Sequence, residues 1–299
     1  MNLTGKRILI TGSEGFIGAA LQERLQKLGY KVSGYDIAKG DDIADAEKLE
    51  KIVRKKFDVI YHLAGFSGSN KSNSDVQKCF GLNSIATANL IKLILEYSPK
   101  TKLILSGSRL EYGKPQYLPV DENHPTTPNS AYGISKLAST QLALVFARSH
   151  NLKTTIFRTS NVYGPHKKGS FKGYNVINYF IDEAKKGNTL TVFGDGKQTR
   201  DYIYIEDLVE AFVKGLQKEA DGQIYNLGYG QPIEFVRMIK SIVKTVGKGK
   251  VKFIKWPPDF KGVETGSYVS NIGKIKKDLG FVPKTDFARG IKLTVQNGI

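Results

Sequence analysis

Cysteine and histidine are scarce in this sequence. Cys79 is the single cysteine among 299 residues, so an intramolecular disulfide is excluded and a cysteine-based metal site is not expected. The four histidines are spread along the chain without the spacing of metal ligands, so we expect no bound metal. This use of cysteine fits a reducing compartment, and we expect a cytoplasmic protein.

Long hydrophobic runs are also missing. No stretch of about 18 apolar residues occurs, which argues against a membrane span. The first residues, MNLTGKRILITG, lack the long apolar core of a secretory signal. Because 40% of the 299 residues are hydrophobic, the chain can bury a sizeable core, and we expect a soluble globular protein.

Acidic residues are outnumbered by basic ones. The 28 Asp and Glu residues face 45 Lys and Arg residues, which gives a formal net charge of +17. Such an excess can indicate nucleic-acid binding. The basic residues are nevertheless spread along the chain, and the densest runs, 51–56 and 274–277, lie in helical patterns. We therefore expect no nucleic-acid or membrane partner, since a general positive field also attracts a diphosphate substrate.

Apolar strand-like segments alternate with amphipathic segments through the first half of the chain. Strands are predicted at 7–11, 31–35, 58–62, 102–105 and 154–157, and helices at 16–28, at 83–97 and after Asn129. This alternation predicts an α/β fold with a Rossmann-type, doubly wound parallel sheet and a smaller, interleaved C-terminal α/β substrate lobe. We assign 1–165 and about 197–227 to the dinucleotide-binding domain, and about 166–196 and 228–299 to the lobe.

A glycine-rich loop joins the first predicted strand to the first predicted helix. The segment TGSEGFIG (11–18) spaces Gly12, Gly15 and Gly18 three residues apart. The first glycine allows a tight turn, the second lets a pyrophosphate approach the backbone, and the third lets the helix pack closely on the sheet. The helix beginning at Phe16 and Ile17 offers unpaired N–H groups to the anion. The strand before and the helix after this loop predict dinucleotide binding.

An acidic residue, Asp36, follows the second predicted strand. A carboxylate at this position accepts hydrogen bonds from both ribose hydroxyls and repels a 2′-phosphate, which favours NAD over NADP as the cofactor. The alternative is that Asp36 only begins a turn. Lys39 lies close by in the sequence and is the one feature that would favour NADP.

Tyr132 and Lys136 lie four residues apart at the start of a predicted helix, so their side chains share one face. A phenol loses its proton near pH 10, which is too high for a base at neutral pH. A neighbouring ammonium and the positive nicotinamide of NAD⁺ would stabilise the phenolate and lower that pKa. The spacing alone is typical of helix surfaces, but its place after the fourth strand of a dinucleotide-binding fold predicts a catalytic pair.

These features together resemble the extended short-chain dehydrogenase/reductases, and in particular the NAD-dependent nucleotide-sugar epimerase/dehydratase family with its UDP-glucose 4-epimerase-like members. The matching residues run in order through most of the chain: TGSEGFIG (11–18), Asp36, Asp42-Ile43, HLAG (62–65), Asn83, SGSRLEYG (106–113), YGISK (132–136), NVYGP (161–165) and GDGKQTRDYIYIEDLVEA (194–211). Any one of them is unspecific, whereas this order and spacing is specific for the family.

The resemblance implies roles for individual residues. Ser108 should hydrogen-bond the reacting hydroxyl of the sugar, Tyr132 should act as general base or acid, and Lys136 should hold the nicotinamide ribose. The further cofactor contacts that it implies are Asp42, Ile43, Leu63, Ala64, Gly65 and Asn83, and the substrate contacts are Asn161, Val192, Arg200 and Lys261. For Arg200 the alternative is an ion pair with Asp201 or Asp195. A homodimer through a helix–helix interface is also implied.

The residues after Ser108 bear on the type of reaction. In family 4,6-dehydratases an Asp-Glu pair directly follows the active-site Ser or Thr, whereas Arg109 and Leu110 stand there in this chain. Glu111 comes one residue late, and on an extended segment it would point the other way. The sequence therefore favours C4 epimerisation of a nucleotide-diphosphate sugar through a transient 4-keto intermediate.

Other activities stay open at this point. One is NAD(P)H-dependent reduction of a 4-keto-6-deoxy nucleotide sugar, and dehydration is less favoured. A different class of protein, a non-catalytic NAD- or RNA-binding relative, would fit the +17 charge but not the complete set of Ser108, Tyr132 and Lys136.

Overall fold

The computed structural model describes residues 5–165 and 175–298. Its strands are β1 Arg7–Thr11, β2 Lys31–Tyr35, β3 Val59–His62, β4 Lys102–Ser108, β5 Thr154–Thr159, β6 Asn161–Tyr163, β7 Thr189–Phe193, β8 Thr199–Arg200, β9 Tyr202–Tyr204, β10 Gln223–Leu227, β11 Ile233–Glu234 and β12 Lys250–Ile254. Its α-helices are α1 Phe16–Lys27, α2 Ala46–Val53, α3 Ser69–Ser74, α4 Val76–Phe80, α5 Ala86–Tyr97, α6 Ala131–His150, α7 Val176–Lys185, α8 Ile205–Lys214, α9 Phe235–Val246, α10 Pro258–Lys261, α11 Gly273–Leu279 and α12 Phe287–Asn297. Short 3₁₀ helices span Ile37–Lys39, Arg109–Glu111 and Lys218–Ala220, and a π turn spans Gly81–Ile85. The part of the predicted lobe at 166–174 lies outside the described residues.

Six strands of the described chain form one parallel sheet in the order β10–β5–β4–β3–β1–β2. β1 and β3 are nearly continuous buried runs because helices cover both faces of the sheet. β2 lies on one side of β1 and β3 on the other, so the direction of winding reverses between β1 and β3. Ligands of doubly wound sheets bind at the carboxyl edge of this switch point. The predicted Rossmann-type α/β fold is confirmed.

Three differences between the predicted and the observed elements concern the parallel sheet and the helix that leads into the site. β4 and β5 run further than predicted, to Ser108 and Thr159, because their last residues still pair with each other. The helix predicted at 83–97 begins two residues earlier as the π turn and continues as α5. β10, QIYNL, is not predicted as a separate strand because its apolar residues are too few and too mixed with polar ones.

The hydrophobic core lies on both faces of the sheet. One cluster of buried side chains runs from Ile8 and Tyr61 of the sheet into the C-terminal helices, where it includes Ile181, Ile239 and Ile291. A second cluster packs α2, α5 and α6 against the other face. The predicted substrate lobe therefore shares its core with the sheet, and the residue boundaries between the two stay a prediction.

The described helices and metal-ligating side chains bear on two other classes of protein. None of the helices within residues 5–165 and 175–298 combines the length and the apolar character needed to cross a membrane. Within the same ranges, no group of three or more His, Cys, Asp and Glu side chains is placed to hold a metal ion.

Candidate active site

A large cleft of about 1130 Å³ opens at the carboxyl edge of the parallel sheet. It brings together most of the predicted site residues. The predicted cofactor residues that line it are Gly12, Gly15, Phe16, Ile17, Gly18, Asp36, Asp42, Ile43, Leu63, Ala64, Gly65 and Asn83, and the predicted reacting and substrate residues are Ser108, Tyr132, Lys136 and Asn161. Val192, Arg200 and Lys261 do not line it.

The glycine loop forms one end of the cleft. Gly12 has a φ of +75°, and its N–H donates to the carbonyl of Tyr35 across the β1–β2 pair. A Cβ atom at Gly18 would collide with the carbonyl of Gly12, so the loop and α1 can approach this closely only without a side chain there. α1 receives no side-chain cap at Gly15, and its N-terminal end, where the helix dipole favours an anion, lines the cleft. The loop therefore fits the pyrophosphate of a dinucleotide.

Asp36 begins a turn and also lines the cleft, so its placement is compatible with both of the roles considered from the sequence. Its carboxylate accepts hydrogen bonds from the N–H of Ala38, which begins the 3₁₀ turn, and from the N–H of Glu14, each at 2.9 Å. The residue also lines the cleft, where a ribose can reach it. Lys39 is paired with Glu14 at 2.5 Å, so its charge is already balanced by a carboxylate. This donor and acceptor set fits the ribose of NAD and opposes a 2′-phosphate.

Helix α6 carries Tyr132 and Lys136 to the cleft. Its first turn is fixed by the Ser130 hydroxyl, which accepts a hydrogen bond from the N–H of Gly133 at 3.1 Å. Gly133 lies directly against the carbonyl of Leu110, and a Cβ atom there would leave too little space. Because Gly133 lacks a side chain, α6 packs close enough to the turn after β4 for Tyr132 to hydrogen-bond Ser108.

The two ionisable groups of this helix have shifted pKa values. Burial raises the pKa of Tyr132 to about 12, while the hydrogen bond with Ser108 opposes that increase. Burial also lowers the pKa of the Lys136 ammonium, against the nearby charge of Glu111. The expected lowering of the phenol pKa by Lys136 is not seen in this structure, where Ser108 is the group that lowers it. The phenol is protonated at neutral pH here, so it needs a further positive charge to act as a base.

Ser108 is held by a capping box at the end of β4. Its N–H donates to Oε1 of Glu111 at 2.8 Å, and its hydroxyl accepts from the N–H of Leu110 at 3.2 Å. The residues after Ser108 thus form a 3₁₀ turn, and the predicted extended segment is wrong. The side chain of Glu111 does point away from the cleft, because the 3₁₀ turn and an ion pair with Arg158 hold it there.

That ion pair is completely enclosed. Oε2 of Glu111 accepts from Nε of Arg158 at 2.8 Å, and the two side chains are 0% and 3% exposed. Arg158 also donates to the Tyr112 hydroxyl at 3.0 Å, which donates to Oδ1 of Asn226 at 2.7 Å. The network joins the carboxyl ends of β4, β5 and β10 beneath Ser108. The sequence analysis does not predict this network, although an arginine within the apolar strand TTIFRT indicates a buried charge that needs a partner.

Asn83 lies in the π turn and connects three segments of the site. Its amide donates to the Ser135 hydroxyl at 2.8 Å and to the carbonyl of Phe66 at 3.0 Å, and its Oδ1 accepts from the N–H of Phe66 at 2.8 Å. The loop after β3 is thereby fixed to α6. π turns are frequent at functional sites, and this one places a buried amide on the cleft wall.

His62 is packed beside the cofactor loop. Its Nδ1 lies 2.7 Å from the Thr11 hydroxyl and its Nε2 lies 3.0 Å from the Thr87 hydroxyl. Because Thr87 donates to the carbonyl of Asn83, its oxygen is free to accept, which assigns the proton to Nε2. Burial, with the charge of Lys136, lowers the pKa of His62 to about 3. The ring is therefore neutral.

The residues predicted to bind substrate are separated in the structure. Asn161 lines the cleft and donates to the carbonyl of Asp201 at 3.1 Å. Arg200 is bound to Glu264 at 2.5 Å and to the carbonyl of Gly266 at 2.6 Å. The alternative of an ion pair for Arg200 is thus observed, but with Glu264 as its partner. Asp201 is occupied instead by the N–H groups of three loop residues, Tyr229, Gly230 and Ser270.

Two further substrate predictions are not supported by the placement of the side chains. Val192 is fully buried in the core, because alternate residues of β7 face inward and Leu190 and Val192 belong to that set. Its assignment as a substrate contact is a mistake of strand register. Lys261 ends α10 and is exposed, outside the cleft in this structure.

Comparison with known proteins agrees with this geometry. The family model described as "NAD dependent epimerase/dehydratase family" matches residues 8–228. A putative UDP-glucose 4-epimerase of Methanocaldococcus jannaschii is 30% identical, over 96% of this chain and 97% of its own. The UDP-glucose 4-epimerase of Thermotoga maritima, solved with UDP-glucose, is 28% identical, with a TM-score of 0.88 and 97% of each chain covered.

Other similar proteins are named for other nucleotide sugars or other reactions. The UDP-glucuronic acid 4-epimerase of Bacillus cereus, solved with UDP-glucuronic acid and NAD, is 26% identical, with a TM-score of 0.84 and coverage of 97% of this chain and 98% of that one. Decarboxylases and dehydratases of nucleotide sugars also match over nearly the whole chain. The matched residues include the glycine loop, Ser108, Tyr132 and Lys136. The chain therefore belongs to the NAD-dependent epimerase/dehydratase family and is an enzyme of the kind that uses NAD.

Proposed function

We propose that this enzyme epimerises a nucleotide-diphosphate sugar at C4 through a transient 4-keto intermediate. When bound along the glycine loop and Asp36, NAD supplies a reversible hydride acceptor. Ser108 hydrogen-bonds the reacting hydroxyl, and Tyr132 removes its proton and later returns it. Lys136 orients the ribose next to the nicotinamide. The positive charge of the oxidised cofactor provides the stabilisation that the buried Tyr132 phenolate needs.

One observation carries this choice of reaction: carboxylates are kept away from the reacting end of the cleft. Among the described residues, the carboxylates that line the cleft are Glu14, Asp36, Asp41 and Asp42, which all lie in the glycine loop or just after β2. Glu111, the acid nearest to Ser108 in sequence, is enclosed with Arg158. Dehydration needs an acid to protonate a leaving hydroxyl, whereas C4 epimerisation needs only the base and the hydride acceptor.

The substrate's diphosphate should lie between Asn161 and Arg200. In the structure Arg200 is held by Glu264, so we expect the diphosphate to compete with that carboxylate for the guanidinium fork. Lys261, three residues before Glu264, is a further candidate contact for the phosphates, as a point charge. The names of the M. jannaschii and T. maritima relatives support a nucleotide-sugar substrate for this site.

The proposal is tested with purified protein and defined nucleotide sugars. The bound nucleotide is identified after release by acid, and interconversion of C4 epimers is followed by NMR with UDP-glucose and UDP-glucuronate as separate substrates. Equilibration of either epimer pair without net change in NADH supports the proposal. Stoichiometric consumption of NAD(P)H with a 4-keto-6-deoxy sugar nucleotide, or formation of a dehydrated product, contradicts it.

The predicted homodimer stays a proposal with one observation in its favour. Ile134 and Val145 are about three turns apart on the same side of α6 and are 45% and 46% exposed. A second copy of this helix would cover both side chains. Light scattering should give a dimer for the wild type and a monomer for Val145→Lys, and a monomeric wild type would contradict the proposal.

A further inference from the structure

Arg109 occupies the cleft wall next to the catalytic serine. It directly follows Ser108 and opens the 3₁₀ turn, and its side chain lines the cleft. One guanidinium nitrogen donates to the Thr265 hydroxyl at 3.1 Å, and the group lies 5.3 Å from the centre of the Tyr268 ring. These contacts fix the side chain against the loop before α11.

Arg109 takes part in no ion pair among the residues whose side chains the structure describes. Within the described ranges, no carboxylate lies within 4.0 Å of its guanidinium. Glu264, the nearby acid, is used by Arg200 and by the N–H of Gly266. Burial, together with the charge of Arg200, lowers the pKa of Arg109 to about 10. A buried charge of this kind is normally compensated by an anion.

We propose that Arg109 binds a carboxylate carried by the sugar of the substrate, so that this enzyme acts on nucleotide-linked uronates. The inference rests on the proposed function, because it places the sugar at Ser108 and Tyr132. Arg109 directly follows Ser108 in the chain and lines the same cleft, so its side chain is a candidate contact for a substituent of a sugar bound at Ser108. A sugar hydroxyl would accept a hydrogen bond from Arg109 but would leave its charge unbalanced, whereas a carboxylate matches the forked donor set.

The test compares a carboxylated sugar with its neutral counterpart. UDP-glucuronate and UDP-glucose are given separately to wild type, Arg109→Met and Arg109→Lys, and kcat/KM for C4 epimerisation is measured by NMR. UDP binding is measured by calorimetry on the same proteins. The matched control is Arg237→Met, since Arg237 is exposed on α9 and pairs with the neighbouring Glu234 on the surface. Retention of NAD reports that each variant is folded.

We expect wild type to prefer UDP-glucuronate, and Arg109→Met to lower kcat/KM for it by about 10- to 100-fold, the range of a charge-assisted hydrogen bond. Activity on UDP-glucose and UDP affinity should change by less than about threefold, and Arg109→Lys should recover part of the loss because it keeps the charge. An equal loss on both sugars, or a parallel loss of UDP affinity, would overturn the inference and assign Arg109 to hydroxyls or to the diphosphate. If wild type epimerises UDP-glucose as well as UDP-glucuronate, the inference fails while the proposed function stands. If neither is epimerised, the proposed function itself fails.

Discussion

Replacing Glu111 by glutamine removes one charge from the enclosed Glu111–Arg158 pair while keeping the shape of the side chain. The amide oxygen can still accept from the N–H of Ser108, so the turn after β4 keeps its hydrogen bond. Arg158 is left with a full charge at 3% exposure. At 2.8 Å and an effective dielectric constant of about 20, the lost attraction is about 6 kcal/mol. Allowing for the desolvation that both states share, we expect a loss of about 3–5 kcal/mol in the free energy of unfolding.

Urea unfolding followed by circular dichroism measures this loss, with Glu50→Gln as the matched control. Glu50 also pairs with an arginine, Arg54, at 2.7 Å, but those side chains are 38% and 53% exposed, so the control should lose less than about 1 kcal/mol. A loss for Glu111→Gln no larger than that of the control would refute the argument that the enclosed pair supports the site. The kcat of the folded variant should change much less than its stability, because the amide oxygen keeps the hydrogen bond that positions Ser108.

Further predictions concern the cofactor and the reacting groups. Tyr132→Phe should lower kcat by at least about 10²-fold with little change in NAD affinity, and retained turnover would remove the phenol from its role. Gly18→Ala should abolish NAD retention because its Cβ collides with the loop backbone, whereas Gly262→Ala, where the space is open, should behave as wild type in the same dialysis assay. Asp36→Asn should narrow the preference for NAD over NADP, measured as the ratio of the two dissociation constants. Burial lowers the pKa of His62 from 6.5 to about 3 in the folded protein, so its contribution to stability is fully present above pH 6.5 and is lost as pH falls toward 3. Between these pH values the free energy of unfolding of the wild type should decrease by up to about 1.4 kcal/mol per pH unit more than that of His62→Gln.

The sequence predicts the cofactor half of the site well because that half depends on local features. A glycine loop between a strand and a helix, and an acid after the next strand, indicate a dinucleotide site whatever the distant segments of the chain do. Gly12, Gly18 and Asp36 therefore lie where the pattern predicts. The Ser-x-x-Glu spacing from Ser108 to Glu111 is also local, and it is a capping-box signature from which the 3₁₀ turn could have been predicted.

The substrate half depends on contacts between distant segments, and sequence reasoning is weaker there. Arg200 is 64 residues from the glutamate that holds it, and no local pattern indicates which acid it will meet. For Val192 the difficulty is different, since the sequence of a short strand does not show which of its two faces packs against the core. The pairing of Arg158 with Glu111 across 47 positions likewise requires knowing that β4 and β5 are neighbours.

The ion pair between Arg200 and Glu264 has a consequence for how affinity responds to ionic strength. Arg200 is already neutralised at 2.5 Å before any diphosphate arrives, so binding exchanges one anion for another instead of filling a vacant positive site. Salt weakens the bond that is broken as well as the bond that is formed, and the two effects partly cancel. The affinity for an anionic substrate would thus vary little between dilute and concentrated buffer. The association rate depends on the electrostatic field of the whole protein, whose net charge is +17, so it would still fall steeply as salt is added.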